Sequence, residues 1–180
     1  MQKLSAEELQ ASYAQGQRNF GAVSLRQADL FEARLKGIDL EGSDLEEVYL
    51  PYAKLNSANL EQTKLKASQL SNTDLSQANL RGADLRNANL SRANLRYANL
   101  RGANLTNAEL EGADLSFADL NQANLSEANL QSANLEQASL EKAILKRTNL
   151  FRAQNVDLIC AFVDNTTILP DGHRQVEGEI

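Results

Sequence analysis

From Leu25 to Leu150 every fifth residue is leucine, 26 positions without a gap. Two residues before each leucine stands a mostly small side chain, alanine at 18 of the 26, and Asn or Asp directly precedes the leucine at 17 of 26. The unit is A-(N/D)-L-x-x, as in Ala78-Asn79-Leu80-Arg81-Gly82. Neither regular element buries leucines at this spacing. On an α-helix, residues five apart are rotated by about 140°, so the leucines would circle the helix and leave no apolar stripe. On a straight strand, an odd spacing throws successive leucines onto opposite faces. What remains is a bend in every repeat, so that each leucine turns back toward one axis. Four bends of about 90° would close a square of about 20 residues, with turns stacked at about 4.8 Å; the spacing itself requires only the bend.

The leucine and the small residue two before it share strand parity, so both point inward. Four leucines nearly fill one layer, which is why only a small side chain fits beside each. Burying one leucine is worth roughly 1.5–3 kcal/mol. The grid therefore supplies a large core although only 42% of the chain is apolar and tryptophan is absent. Asn and Asp tolerate the left-handed region and bond to nearby backbone, which suits a chain that turns this often.

These pentads, running through residues 21–152, resemble those of the pentapeptide-repeat family. The resemblance implies an all-β solenoid, a right-handed quadrilateral β-helix with four pentapeptides per coil and about 6–7 coils in this length. Phe20, Leu40, Leu60, Leu80, Leu100, Leu120 and Leu140 then line one face of the core. The expected organisation is an N-terminal helical cap over 1–17, the β-helix over 18–153, and a C-terminal cap and tail over 154–180.

Both ends carry capping signals. Ser5-Ala6-Glu7-Glu8 reads as a capping box, Leu4 and Leu9 as a hydrophobic staple, and Gly16 as a C′ stop. A helix is predicted over Ala6–Ala14, with Leu9 and Tyr13 facing inward. Phe20 starts the grid as a larger residue in the end layer. After Leu150 the grid breaks, with Asn155 and Cys160 at its central positions. Val156, Leu158, Ile159, Phe162 and Val163 form an apolar segment expected to cover the last coil, Pro170-Asp171-Gly172 is a turn signal, and the tail from His173 to Ile180 is expected to fray. The stretch Tyr13 to Phe20 and the ending Thr167-x-x-Pro170-Asp171-Gly172 resemble those of cyanobacterial members, including a regulator of the heterocyst-suppressing type.

Residues twenty apart share a column on the outer surface. Phe31 and Pro51 share one, with Tyr49 and Tyr52 alongside; Tyr97 and Phe117 share another. Exposed aromatics on a rigid surface are interaction anchors; alternatively they shield the backbone or pack against the cap helix. Charge is banded. Residues 81–104 hold five arginines (Arg81, Arg86, Arg92, Arg96, Arg101) and one acid, between acidic flanks, within a net charge of −6. The five spread over four faces, so they form a belt expected to pair with neighbouring carboxylates rather than one phosphate-reading patch. Glu41, Asp44, Glu46 and Glu47 make an acidic edge.

No catalytic constellation is visible. One histidine, His173, and one cysteine, Cys160, stand without partners nearby in sequence, and catalysis needs base and nucleophile held together. No Cys/His spacing fits zinc, and the glycines follow the repeat rather than a phosphate loop. The expectation is a protein without enzyme activity, cofactor or metal: a scaffold that binds a protein partner through its outer faces. Direct nucleic-acid binding is not expected, nor a membrane span, and the chain is expected to be a monomer or weak dimer in the cytoplasm, since Met1 to Gln10 carries no apolar leader. The resemblance offers two further functions, a DNA-mimic modulator of DNA gyrase and a signalling regulator of the heterocyst-suppressing type. The arginine belt, the modest net charge and the unbroken grid weigh against the first.

Overall fold

A computed structural model describes residues 1–174. Within it the pentads build a solenoid. Outward residues pair in parallel with residues twenty further on, as in Asn59 with Asn79 and Asn79 with Asn99, and this pairing runs from Asn19 through Gln154. Each pairing is a single-residue bridge rather than an extended strand, because the chain corners every five residues.

The pentad Asn99–Ala103 shows how its backbone N–H groups are used. Asn99 N–H donates to Ala78 C=O of the previous coil (2.9 Å), and Leu100 N–H to Asp119 C=O of the next (2.7 Å). Arg101 N–H donates to the Asn99 side-chain Oδ1 (3.1 Å). Gly102 N–H reaches Asn121 C=O (2.9 Å), and Ala103 N–H closes the corner on Leu100 C=O (3.0 Å). All five donors are satisfied, as buried backbone requires.

The corners correct one expectation. The left-handed residue is the second after the leucine, not the Asn or Asp before it: Gln77, Asn87, Tyr97 and Phe117 all sit at φ of about +57 to +61°, as do Gly82 and Gly102 at +63 and +66°. A positive φ only at the third residue of a four-residue turn is the type II pattern. The Asn or Asp instead uses its side-chain oxygen to hold the N–H two residues on, in an Asx-type turn.

The core is one continuous stack. The grid leucines from Leu25 to Leu135 are at most 1% exposed, and Phe20 closes the first layer. Leu40, Leu60, Leu80, Leu100 and Leu120 are equally buried, and Leu140 slightly less. Where alanine is replaced by a hydroxyl residue, the hydroxyl finds a carbonyl inside. Thr73 donates to Leu50 C=O one coil back (2.8 Å), and Thr63 to its own Leu60 C=O (2.7 Å).

At the N-terminal end, β1 (Gln2–Lys3) pairs in parallel with β2 (Val23–Ser24) on the first coil. The helix α1 (Ala6–Ala14) follows. Ser5 Oγ accepts from Glu8 N–H (3.1 Å) while Glu8 accepts from Ser5 N–H (2.8 Å). The helix ends in a Schellman arrangement, with Gly16 N–H on Tyr13 C=O, Gln17 N–H on Ser12 C=O, and Gly16 at φ +98°. Leu9 is fully buried, and Tyr13 packs at the core's edge with its hydroxyl on Lys36 C=O (2.8 Å).

The C-terminal segment keeps only part of its expected role. Val156, Leu158, Ala161 and Val163 pack on the core, but Ile159 and Phe162 are 77% and 58% exposed, and Cys160 and Asn155 are exposed too. The cause is register. Phe162 pairs with Ile144, eighteen residues back rather than twenty, and so inherits the outward position. The chain then covers the stack through Thr167, whose buried hydroxyl donates to Leu145 C=O (2.6 Å). A turn over Leu169–Gly172 and an antiparallel pairing of Ile168 with Arg174 follow. The expected fraying therefore does not begin at His173, and residues 175–180 lie outside the described residues.

Candidate protein-interaction surface

Because every coil repeats the same geometry, unusual outer residues stand out. Phe31, Tyr49 and Tyr52 converge near the N-terminal end. The Phe31 and Tyr49 rings lie 6.2 Å apart and near-parallel, and Phe31 and Tyr52 meet edge to face at 6.0 Å. The three are 48%, 44% and 52% exposed. Pro51 is not part of the exposed patch, as its sequence position suggested. It is buried, flanked by Tyr49 and Tyr52 and with Phe31 in the same column of the previous coil. Beside Phe31 a shallow groove runs to Gln10, Tyr13 and Ala14 of α1, so the patch borders the cap helix while keeping about half of each ring in solvent.

Tyr97 and Phe117 stack at 4.7 Å with 10° between their planes. Arg96, one residue before Tyr97, places its guanidinium 5.8 Å from both rings and donates to Asp114 and to Ser116 Oγ (3.3 Å each). Burial alone would push the Asp114 carboxyl up. The Ser116 hydroxyl and N–H and the Arg96 guanidinium outweigh it and hold the carboxyl below its ordinary value. Arg96 was read in the sequence only as one of a belt. Its column, twenty before Ser116, was the available signal for this cluster.

The rest of the belt is partly tied down. Arg86 chelates Asp84 through Nε and Nη2 (2.8 and 2.6 Å), which lowers the Asp84 carboxyl below the usual range. Arg81 lies 3.5 Å from Glu61 one coil back. Among the described residues Arg92 and Arg101 have no carboxylate within ion-pair distance. The acidic edge is partly neutralised by Arg26, which reaches Glu46 at 2.5 Å, Asp44 at 3.6 Å and Glu47 at 3.7 Å. Gln27 adds a bond to Glu47 (2.8 Å). Arg26 and Glu46 are twenty apart, so column counting would have revealed this pair as well.

His173 is exposed beside Asp171 (Nδ1 to Oδ2, 3.1 Å), and its N–H and side chain hold the Asp171 carboxyl below its usual range. Among the described residues no three His, Cys, Asp or Glu side chains gather as a metal site, and no helix is long and apolar enough to cross a membrane.

The family model described as pentapeptide repeats (8 copies) matches residues 24–66, 68–107 and 108–147. No curated protein sequence matches. Among solved structures, the chain is 30% identical to HetL, a pentapeptide repeat protein involved in heterocyst differentiation regulation from the cyanobacterium Nostoc sp. strain PCC 7120. That match covers 96% of this chain and 100% of HetL, with a TM-score of 0.38. It is 38% identical to a pentapeptide repeat protein from the Arabidopsis thaliana thylakoid lumen, over 51% of this chain and 68% of that one, with a TM-score of 0.44. A trypsin-treated form of QnrB1, a plasmid-mediated fluoroquinolone resistance protein, is 19% identical, over 82% of this chain and 83% of that one, at a TM-score of 0.54; this likeness concerns the fold alone. With the repeat matched over more than half of its length, on a backbone that pairs every twenty residues, this chain belongs to the pentapeptide-repeat family.

Proposed function

We propose that this chain is a non-catalytic interaction scaffold that binds a protein partner through its outer faces. The observation that carries the reading is the cluster of Phe31, Tyr49 and Tyr52, in which the Phe31 ring meets both tyrosines and each residue is about half exposed. Tyr49 and Tyr52 sit on a coil whose backbone is hydrogen-bonded on both sides, and Phe31 on the coil before it, tied to it through Leu30 and Glu32, so the rings are held in place before any partner arrives. Such a surface binds at low entropic cost. Tyr97 and Phe117 with Arg96 form a second anchor further along the same rigid body, within a coil of about 6–7 turns that the repeat count implies and that the family resemblance implies is right-handed.

The test is capture of a partner from the source cell's lysate by wild-type protein and by the Phe31→Ser/Tyr52→Ser variant. Both side chains are outside the core, so the variant keeps its circular dichroism and melting temperature and loses the captured protein. Capture unchanged by the double substitution refutes the site.

A second reading is a regulatory role of the kind named for HetL. It is favoured by 30% identity over nearly the whole of both chains, and it shares the scaffold mechanism, since a non-catalytic regulator acts by binding. A third, modulation of DNA gyrase by mimicry of DNA, finds less support, because the arginine belt interrupts the acidic surface a mimic needs. Inhibition of gyrase supercoiling at low micromolar protein would reverse that order.

A further inference from the structure

The last coil leaves one rung of its ladder open. On three faces the C-terminal segment supplies one residue that pairs with the coil below through both its N–H and its C=O. Gln154 donates to Ala133 C=O and accepts from Leu135 N–H (2.9 Å each). Phe162 does the same with Ala143 and Leu145 (2.8 and 2.9 Å). Ile168 does so with Thr148 and Leu150 (2.9 and 2.8 Å). On the fourth face, among the described residues, nothing accepts from Leu140 N–H or donates to Ala138 C=O. Counting by twenty assigns Ile159 to that rung. Its N–H instead donates to the Asp157 side chain (3.0 Å), because only eight residues separate the Gln154 and Phe162 rungs, where regular corners would need ten.

The consequence is a groove of about 470 Å³ between Gln137–Glu141 and the Asn155–Cys160 loop. Ala138 is 9% exposed and Leu140 4%, against 0–1% for nearly every equivalent residue in the preceding coils. Leu140 forms the floor, exposed Ile159 one wall, and Glu141 and Asp157 bring two carboxylates. The only cation beside them among the described residues is Lys142, 3.2 Å from Glu141.

We infer that this groove binds an extended peptide by strand addition, with one residue completing the open rung opposite Ser139. That residue must offer a free N–H to Ala138 and a C=O to Leu140, as Phe162 does on the neighbouring face. By the alternation of a strand its side chain points outward, toward Glu141 and Asp157, which favours lysine or arginine there. Its two neighbours point inward over Leu140, which favours apolar residues. The partner is therefore a peptide of the pattern apolar-basic-apolar, with main-chain bonds giving affinity and side chains giving choice. A second copy of this chain fits less well, since its N-terminal end is covered by β1 and α1.

The test uses full-length protein and fluorescein-labelled Gly-Ser-Val-Lys-Val-Ser-Gly, followed by fluorescence anisotropy and by amide NMR. The expected result is saturable binding that shifts the Leu140 amide and slows its exchange. Replacing the peptide's lysine with glutamate, or methylating that lysine's backbone nitrogen, should each weaken binding at least tenfold. The exposed protein variant Glu141→Lys/Asp157→Lys should reverse the preference between lysine and glutamate peptides. Binding that survives N-methylation, or that leaves the Leu140 amide unmoved, overturns strand addition. A Leu140 amide already protected in the peptide-free monomer, or protected only as the protein dimerises, overturns the peptide as occupant.

Discussion

Leu100→Ala tests whether the grid leucines share one closed interior. Leu100 lies in the middle of the stack with no exposed surface. The change removes about three carbon groups at about 0.8 kcal/mol each, a transfer loss of about 2.4 kcal/mol. Coils bonded above and below cannot collapse far, so a void of up to about 75 Å³ at about 24 cal/mol per Å³ adds up to about 1.8 kcal/mol. The expected destabilisation is about 3–4 kcal/mol. Leu140→Ala provides the control: its missing atoms open into the groove, water replaces the void, and the cost falls to the transfer loss alone, about 2.4 kcal/mol. Urea unfolding followed by far-ultraviolet circular dichroism and by tyrosine fluorescence measures both, and agreement of the two probes licenses the free energies. A Leu100→Ala cost below about 1 kcal/mol, or equal costs at the two positions, would refute the closed-stack reasoning.

At Gly102 an added Cβ meets nothing within 4 Å, but φ is +66°, so Gly102→Ala is expected to cost about 1 kcal/mol from backbone strain alone and Gly102→Asn less; equal melting of both with wild type would contradict this. Ser5→Ala removes the side-chain oxygen that accepts from Glu8 N–H and should cost about 1 kcal/mol, seen as easier proteolysis ahead of Phe20. The carboxyls of Asp84, Asp114 and Asp164 are held below the ordinary aspartate range when folded, so their stabilisation is fully present above the unfolded value of about 3.9 and is lost as pH falls through the lowered folded values. Melting temperature should therefore be insensitive to these groups from neutral pH to about 5 and fall below pH 4, with a shallower fall in Asp84→Asn/Asp114→Asn.

The interior was legible because leucine at every fifth position admits so few backbones. The cap helix was legible because Ser5, Glu8 and Gly16 each state a local backbone requirement. The corners were misassigned because Asn and Asp serve the turn in two ways, and here they act through Oδ1 while residues such as Gln77 and Tyr97 carry the positive φ. Pro51 was misplaced because a column address does not say how much its neighbours cover it. Ile159 and Phe162 were misplaced because, past Leu150, hydrophobicity gives no register: Phe162 takes the outward place opposite Ile144, and Ile159 falls in the loop that departs from the count by twenty. The pairs Arg26 with Glu46 and Arg81 with Glu61 were within reach of the same counting by twenty. The open rung at Ser139 was not, since it depends on where the final loop departs from that count.

The single-residue bridges twenty apart also mean that the rod's length is independent of its ends. Removing residues 81–100 joins Leu80 to Arg101 and leaves every column, corner and cap in phase, whereas removing a pentad shifts every outer column by a quarter turn. Lineages can therefore lengthen or shorten such a chain in whole turns while preserving its faces, and the distance between two anchors becomes a quantity that gene duplication sets in steps of one coil.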